Sequence, residues 1–181
     1  MTDVAPTLTL FAGERRLASG PLAEVAVQAL SAPQDDGPVL AFDDATGKVV
    51  DLDLRGSAAE VAARYTIETP PRPRGRPKLG VVAREITLLP RHWEWLATQP
   101  GGASVALRKL VEQARRATAG ETDRKARQEA AYRFMSAMAG DLPGYEAAIR
   151  ALFADDREAL KTHTAPWPAD VRAHALKLAW G

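Results

Sequence analysis

The stretch Val39-Leu40-Ala41-Phe42-Asp43-Asp44-Ala45-Thr46-Gly47 decides the fold of the first part of the chain. Its four apolar residues predict a strand, and the Asp-rich segment that ends in Gly predicts the turn of a β-hairpin. Residues 48–54 return with apolar and polar side chains in alternation, which indicates a second strand with one buried face. The first part of the chain is therefore expected to contain an antiparallel sheet.

Secondary structure on both sides of this hairpin completes a small α+β unit. Residues 7–18 are typical of two further strands with a Gly-containing turn between them. Pro21 is well placed in the first turn of a helix that continues to Leu30. Ser57-Ala58-Ala59-Glu60 is a capping box, in which the Ser and the Glu each satisfy a free backbone N–H at the start of a second helix. We predict an acidic α+β domain at residues 1–68.

The sequence contains no recognisable metal site. Four acidic residues lie in the hairpin: Asp43, Asp44, Asp51 and Asp53. A calcium loop needs oxygen ligands at every second position and a closing Glu, and this pattern is absent, so we expect these side chains to face water. The chain has no Cys, and His163 and His174 are too far apart for a zinc motif. We expect the histidines at the surface or at helix ends, and no metal or cofactor.

The rest of the chain divides into an arm, a strand-helix-helix segment and a helical region. Residues 69–80 contain four prolines, which exclude a helix and favour an extended chain. Residues 81–118 predict a strand over 81–89, a helix opened by Pro90, and a second helix after a Gly-Gly turn. Residues 119–181 have apolar side chains at helical spacing, and the expected helices are 122–140, 143–154, 155–162 and 168–179.

The predicted fold class is thus α+β, with three kinds of substructure along the chain. It begins with a small N-terminal α/β sandwich-like unit. A central strand-helix-helix segment follows, and C-terminal helices complete the chain.

Positive charge is concentrated in one central block. The whole chain has 24 Lys and Arg residues and 23 Asp and Glu residues, which gives a net charge of +1. Residues 1–71 have a net charge of −6, residues 72–118 have +7, and residues 119–181 are neutral. Such asymmetry indicates a polyanionic partner better than the overall charge does.

The arm Pro73-Arg74-Gly75-Arg76-Pro77-Lys78 resembles the AT-hook, a short segment that binds the minor groove of AT-rich DNA. This groove is narrow and strongly negative, and Gly75 would let the backbone approach its floor. Arg74 and Arg76 would donate to base acceptors in the groove, while Arg72 and Lys78 would contact flanking phosphates. A solvated, Pro-rich basic linker is the alternative interpretation.

The segment after the arm resembles the ribbon-helix-helix DNA-binding unit. The resemblance is carried by Arg84-Glu85-Ile86-Thr87-Leu88-Leu89-Pro90 for the strand and the helix start, and by Gly101-Gly102-Ala103-Ser104 for the turn. In that family two chains pair their strands into an antiparallel ribbon that enters the major groove. The resemblance therefore implies an obligate homodimer with a shared core. That core would contain Ile86, Leu88, Leu96, Leu107, Leu110 and Val111.

Two parts of this unit would contact DNA. Glu85 and Thr87 would face the bases on one strand register, whereas a slip of one residue would turn Arg84 outward instead, and this choice stays open. Backbone N–H groups at Ser104, in the first turn of the second helix, could bind a phosphate. Arg108 and Lys109 follow one turn later and would add positive charge there. The residues carry no aromatic motif for reading RNA, so double-stranded DNA is the preferred partner.

Over nearly its full length the chain also resembles a bacterial family, domain of unknown function family 2239. The stretches that carry this resemblance include Phe42-Asp43-Asp44-Ala45-Thr46-Gly47 and Trp167-Pro168-Ala169-Asp170-Val171-Arg172, with longer ones at 11–20 and 75–85. The resemblance implies a bacterial source and brings no established activity with it.

Other features of the sequence narrow the class of protein. No apolar run approaches the roughly 18 to 20 residues of a membrane span, and the N-terminus lacks the pattern of a secretory signal. No Ser lies in a nucleophile elbow, and no Gly-rich loop has the pattern that holds a phosphate. We expect a cytoplasmic, nucleoid-associated protein that is not an enzyme.

The function predicted from the sequence is sequence-preferring binding of double-stranded DNA by a homodimer, as a transcriptional regulator or a nucleoid-associated protein. The alternative is a protein-interaction or antitoxin-like adaptor with incidental nucleic-acid affinity. Such an adaptor would bind a protein partner through the acidic N-terminal domain or the helical C-terminal region.

Overall fold

The computed structural model describes residues 7–66 and 82–181. The described residues form four strands, seven α-helices and one turn of 3-10 helix. The strands are β1 (Thr7–Ala12), β2 (Arg15–Pro21), β3 (Val39–Asp43) and β4 (Val49–Val50). The helices are α1 (Leu22–Leu30), α2 (Ala58–Tyr65), α3 (Pro90–Ala97), α4 (Gly102–Ala139), α5 (Tyr145–Phe153), α6 (Arg157–His163) and α7 (Ala169–Trp180). The predicted mixed α+β class is confirmed.

The four strands form one antiparallel sheet in the order β2-β1-β3-β4. The predicted hairpin is confirmed, but its second strand is two residues long, where the sequence predicted a return over 48–54. After Val50 the chain leaves the sheet, and its backbone bonds to α2 instead: the Arg64 guanidinium donates to the backbone carbonyl of Asp53 at 2.6 Å. This contact turns the segment after β4 towards α2.

The two predicted helix starts near the sheet differ in outcome. At Ser57 the capping box is present: the Glu60 amide donates to Ser57 Oγ at 3.3 Å, and the Ser57 amide donates to Glu60 Oε2 at 2.7 Å. Pro21, by contrast, is the last residue of β2 and precedes α1, so it does not lie in the first helical turn. Its backbone is extended, with ψ of 151°, because it still pairs with Thr7 of β1.

Both faces of the central strand β1 are buried, which sets the organisation of the chain. Leu8 and Leu10 pack on one face with Val25 and Ala29 of α1. Because successive side chains of a strand point to opposite faces, Phe11 belongs to the core on the other face. A sheet that is apolar on both faces needs cover on both.

The second core joins the sheet to the C-terminal helices. Phe134 of α4 lies 5.4 Å from Phe11 and 4.9 Å from Phe42, measured between ring centroids. Side chains of α5, α6 and α7 complete this core, among them Leu152, Leu160 and Val171. The sequence divided these regions between domains at 1–68 and 119–181. In the structure, Met1–Ile67 and Thr122–Gly181 form one compact unit, unit 1, and Glu68–Glu121 form a second, unit 2.

Helix α4 is a single helix of 38 residues. The prediction of two helices, one ending near Arg116 and one over 122–140, is therefore wrong in this respect. Gly120 lies between the two predicted helices and inside α4, and one Gly within a helix costs only about 1 kcal/mol relative to Ala. Its neighbours Ala119 and Glu121 are good helix formers and compensate for it. The helices predicted near 143–154, 155–162 and 168–179 are confirmed as α5, α6 and α7.

The turn between β3 and β4 is held by its own side chains and by α4. Asp43 Oδ1 accepts hydrogen bonds from the amides of Ala45 and Thr46, at 2.9 and 2.8 Å. Gly47 has a φ of 67°, and a Cβ there would overlap the backbone carbonyl of Ala130 in α4. The turn therefore needs Gly for two reasons: its left-handed backbone and its close approach to the helix.

Asp44 corrects the expectation that the hairpin carboxylates face water. Its side chain is 13% exposed and lies between the sheet and α7. Thr9 Oγ1 donates to its Oδ1 at 2.7 Å, and Lys177 Nζ donates to its Oδ2 at 2.8 Å. These partners offset the cost of burying the carboxylate. Both are distant in the sequence, so the spacing of the acidic residues could not predict them. Within 7–66 and 82–181, no cluster of three or more His, Asp or Glu residues could hold a metal ion.

His174 of α7 corrects the expectation that the histidines lie at the surface or at helix ends. Its ring is buried, with centroids 5.5 Å from Phe11 and 4.6 Å from Phe134. Neither ring nitrogen has a hydrogen-bond partner among the described residues, and Nε2 lies 3.6 Å from Asp44 Oδ1. Burial lowers the pKa of His174 to about 4, against the opposing effect of the Asp44 carboxylate. The imidazole is therefore neutral at pH 7.

No helix within the described residues is long and apolar enough to cross a membrane.

Candidate nucleic-acid interface

The residues predicted to contact DNA fall into two groups. Those of the arm lie outside the described residues: Arg72, Arg74, Gly75, Arg76 and Lys78. Those of the strand-helix-helix segment are all described and all exposed: Arg84, Glu85, Thr87, Ser104, Arg108 and Lys109. For the second group the structure gives the position and exposure of each residue.

The strand predicted over 81–89 is absent from residues 82–89, the part of that range that the structure describes. Residues 82–89 have neither strand nor helix geometry, and Arg84, Glu85 and Thr87 are exposed there. A strand is stabilised by ladder hydrogen bonds to a neighbour, and the sheet found in the described residues includes no pairing to this segment. The strand prediction is therefore wrong for the single chain. This result does not decide whether Glu85 and Thr87, or Arg84 instead, would face the bases.

The start of α3 and the turn before α4 agree with the sequence. Pro90 is the first residue of α3, where its missing N–H costs nothing, and Leu89 precedes it with extended backbone. Gly101 and Gly102 both have positive φ, at 88° and 75°, which a Gly-Gly pair adopts without strain. Ser104 consequently lies in the first turn of α4, as predicted.

The N-terminal half of α4 has two different faces. At about 100° per residue, Leu107, Leu110, Val111 and Ala114 fall along one side of the helix. Arg108, Lys109, Glu112 and Arg116 fall along the opposite side, on either side of an open depression. The helix is therefore amphipathic, with an apolar face (residues 107, 110, 111, 114, 117 and 118) and a cationic face (residues 108, 109, 112 and 116).

The cationic face keeps part of its charge available. Arg116 and Arg115 both bind Glu112, with N–O distances of 3.0 and 3.7 Å. Arg108 Nε donates to the backbone carbonyl of Ser104 at 3.1 Å, so its charge has no carboxylate partner within the described residues. The same part of the structure shows no ion pair at Lys109. Across Glu68–Glu121, ten Lys and Arg against five Asp and Glu give a net charge of +5.

Apolar side chains in unit 2 are largely uncovered. Among its described residues the buried apolar side chains are Leu96 and Ala106. Seven large ones are exposed: Val82, Ile86, Leu89, Trp93, Trp95, Leu110 and Val111. Trp93 and Trp95 of α3 are 41% and 51% exposed in the single chain. No part of the chain that the structure describes therefore covers these side chains fully.

Comparison with known proteins places the chain in a family. The family model described as "Uncharacterized protein conserved in bacteria (DUF2239)" matches residues 7–179. The chain belongs to the DUF2239 family. Searches of the curated proteins and of the solved structures returned no match.

The structure of this DUF2239 protein brings some predicted contact residues together and leaves others apart. Ser104, Arg108 and Lys109 lie within two turns at the start of α4 and form one surface. Arg84, Glu85 and Thr87 lie on the segment before α3, and no hydrogen bond or ion pair joins them to that surface within the described residues. Arg116 belongs to the cationic face but was not among the predicted contacts. Its distance of seven residues from Lys109, about two helical turns, is the signal that identifies it.

Proposed function

We propose that this DUF2239 protein is a homodimer that binds double-stranded DNA and prefers AT-rich sequences, acting on the nucleoid as a transcriptional regulator or an architectural protein. The observation that carries the proposal is the amphipathic N-terminal half of α4. It presents an exposed cationic face opposite an uncovered apolar face. One face suits a polyanion and the other a protein contact.

The charges support DNA over other partners of the cationic face. Arg108 and Lys109 are exposed and have no carboxylate partner within the described residues, so binding a phosphate would break no existing ion pair. Release of counterions from DNA then contributes free energy for each cation that meets a phosphate. The arm adds Arg74 and Arg76 in the same chain segment, and these residue types suit the acceptors of the minor groove.

In this proposal the two elements have different roles. Arg108, Lys109 and Arg116 bind the phosphate backbone and bring little sequence preference. Arg74 and Arg76 of the arm supply the preference for A·T pairs, because the narrow minor groove over such pairs concentrates negative potential. Residues 82–89, including Arg84, Glu85 and Thr87, would approach the major groove once paired with the same segment of a second copy.

Fluorescence anisotropy with AT-rich and GC-rich duplexes of equal length, across a salt series, tests the proposal. We expect tighter binding to the AT-rich duplex that persists near physiological salt. Replacing Arg74 and Arg76 together by Ala should weaken binding to the AT-rich duplex much more than to the GC-rich one. A matched control replaces Arg127 and Arg150 of unit 1 by Ala and should leave both affinities unchanged. No binding even at low salt, where phosphate contacts are strongest, would contradict the proposal.

A second candidate function is that of a protein-interaction adaptor, and one observation favours it. Tyr132 of α4 and Phe153 of α5 are 38% and 52% exposed, with ring centroids 5.7 Å apart. An exposed aromatic pair is typical of a contact for another protein. If the adaptor function is right, any binding to the two duplexes should show no preference for AT-rich DNA and should be lost near physiological salt. Replacing Tyr132 and Phe153 by Ala should then abolish capture of a protein partner, while replacing Arg127 by Ala should not.

A further inference from the structure

We infer that the apolar face of α4 is an antiparallel helix–helix interface with a second copy of this chain. The interface residues are Leu107, Leu110, Val111, Ala114, Ala117 and Thr118. The inference rests on the homodimer of the proposed function and adds its contact surface and the orientation of the two helices. It does not depend on DNA binding, and its tests contain no DNA.

The described part of unit 2 leaves most of its large apolar side chains exposed. Leu96 and Ala106 are its buried apolar side chains within 82–121, while seven large ones are exposed. Unit 2 comprises Glu68–Glu121, a size at which a single core gives only marginal stability. The chain has no Cys, so disulfides cannot substitute for a core. Association with a partner would remove the exposed apolar surface of its described residues from water.

The face itself has the character of an interface between helices. Its positions are spaced by three, one, three, three and one residues, so they stay on one side of the helix for about three turns. None of the six residues is charged. Leu110 is 43% exposed and Val111 is 65% exposed, which means that no other described part of the chain covers them fully. The face is about 16 Å long at 1.5 Å per residue.

The sizes of the side chains favour a second copy in the antiparallel orientation. The large residues Leu107, Leu110 and Val111 lie towards the start of the face, and the smaller Ala114, Ala117 and Thr118 lie towards its end. An antiparallel pair centred between residues 112 and 113 places the large residues of each copy against the small residues of the other. A parallel pair would place large against large and leave a gap between the small residues. Interdigitation of large with small side chains gives the denser packing.

Charge also favours a second copy over an acidic or basic partner. The uncharged face is self-complementary, as an isologous contact requires. Arg108, Lys109 and Arg116 lie on the opposite side of the helix, so the pairing does not bring the cationic faces together. Arg115 lies at the edge of the apolar face, one turn after Val111, and its charge is paired with Glu112 at 3.7 Å. An acidic partner would bind that cationic face instead.

The face alone is smaller than a stable interface needs. A standard interface buries about 800 Å² per partner, more than one helical stripe of three turns can supply. Trp93 and Trp95 are the largest exposed apolar side chains of the same unit. They lie about 200° apart on α3, so we expect one of them to extend the contact. Tryptophan is enriched at the centre of such interfaces, so an exposed Trp suits the remaining area.

Sedimentation velocity of the full-length chain without DNA tests the interface. We expect a dimer in the micromolar range. Val111→Glu, which introduces a charge into the face, should raise the dimer dissociation constant by at least about 100-fold. Gln113→Glu adds the same charge outside the face and should leave the dimer intact. Because Val111 is exposed in the single chain, circular dichroism of the variant should match the wild type. A monomeric wild type, or a Val111→Glu variant that still dimerises, would overturn the inference.

Disulfide trapping tests the orientation. The chain has no Cys, so single-Cys variants report one position each. In the antiparallel pair, Leu107 of one copy faces Thr118 of the other, and a mixture of Leu107→Cys and Thr118→Cys should form a mixed disulfide. Leu107→Cys alone should not cross-link, because its two copies lie about 16 Å or more apart and a disulfide needs Cα atoms within about 7 Å. Ready cross-linking of Leu107→Cys with itself would overturn the antiparallel arrangement.

Discussion

The two units of this chain differ in how they use apolar side chains. The described part of unit 1 contains 24 buried apolar residues, including a core in which Phe11, Phe42 and Phe134 contact one another. The described part of unit 2 contains two, Leu96 and Ala106. Most of the large exposed apolar side chains nevertheless lie in unit 2. Among the described residues, unit 1 therefore buries most of its large apolar side chains, whereas unit 2 leaves most of its own exposed.

Charge follows the same division. The net charge of unit 1 is −4 and that of unit 2 is +5, from the Lys, Arg, Asp and Glu of each range. In unit 1 several charges serve the fold itself, as Asp44 does with Lys177 and Asp53 does with Arg55. On α4 in unit 2, Arg108 and Lys109 have no carboxylate partner in the described part of the chain. Under the proposed function, unit 1 supplies stability and unit 2 supplies recognition, and the following experiments test this division, from the largest expected effect to the smallest.

Loss of the aromatic core should have the largest effect. Phe134→Ala should lower the free energy of unfolding by about 3–5 kcal/mol, because the ring is fully buried and its removal leaves a cavity. The measurement is urea denaturation followed by circular dichroism. Leu110→Ala is the control from unit 2, and in dilute protein it should cost less than about 0.5 kcal/mol. Equal costs for the two variants in dilute protein would remove the distinction between the units.

Stability should fall as the pH is lowered from about 6.5 to about 4. Burial lowers the pKa of His174 to about 4, and the charges of Lys177 and Arg16 add to the effect while Asp44 opposes it. The unfolded chain then binds more protons than the folded chain in this window, so the stability present above pH 6.5 is lost on acidification. The full shift corresponds to about 3 kcal/mol. Urea denaturation as a function of pH measures it.

The control for this pH dependence comes from the other unit. His174→Leu should remove most of the slope between pH 6.5 and 4. His92→Leu, at an exposed position of α3, should leave the slope unchanged. If both variants keep the slope, its source is not the buried imidazole.

Removal of the Asp44 carboxylate should have an intermediate effect. Asp44→Ala takes the acceptor from Thr9 Oγ1 and the counter-charge from Lys177, and we expect a cost of about 1–3 kcal/mol at pH 7. Asp51→Ala is the matched control, because Asp51 follows the same hairpin and is exposed. Comparable costs for the two substitutions would show that Asp44 does not join the sheet to α7. Urea denaturation is again the measurement.

The smallest effect is expected for a single cation of unit 2. Lys109→Gln should leave the free energy of unfolding unchanged and lower DNA affinity only a few-fold. The slope of log affinity against log salt should become shallower by about 1, as for the loss of one phosphate contact. Lys161→Gln on α6 removes the same charge from unit 1 and should change neither quantity. An unchanged salt slope for Lys109→Gln would exclude Lys109 from the DNA contact.

The predictable part of the fold is the part held by contacts close in sequence. The hairpin at residues 39–50, the capping box at Ser57 and the helix start at Pro90 depend on residues within a few positions of one another. The exceptions have physical causes. The strand expected over 81–89 is missing because the described chain gives it no pairing partner, and the break expected near Gly120 is missing because its neighbours favour a helix.

The candidate site was predictable in composition and less so in geometry. Ser104, Arg108 and Lys109 were identified by their place at the start of a helix, and the structure brings them together. Arg116 joins them only when the helical period is followed through one continuous helix. Arg72, Arg74, Gly75, Arg76 and Lys78 lie outside the described residues, and their role stays a prediction.

By itself the sequence determined the local elements, the concentration of positive charge in residues 72–118 and the resemblance that places the chain in its family. Only the tertiary structure decided that the sheet is covered by helices from the other end of the chain, that Asp44 and His174 are buried, and that the apolar face of α4 is not. The reason is that burial depends on contacts between residues more than a hundred positions apart, such as Asp44 with Lys177. Local patterns specify which side chains can be buried, and the distant partners determine which of them are.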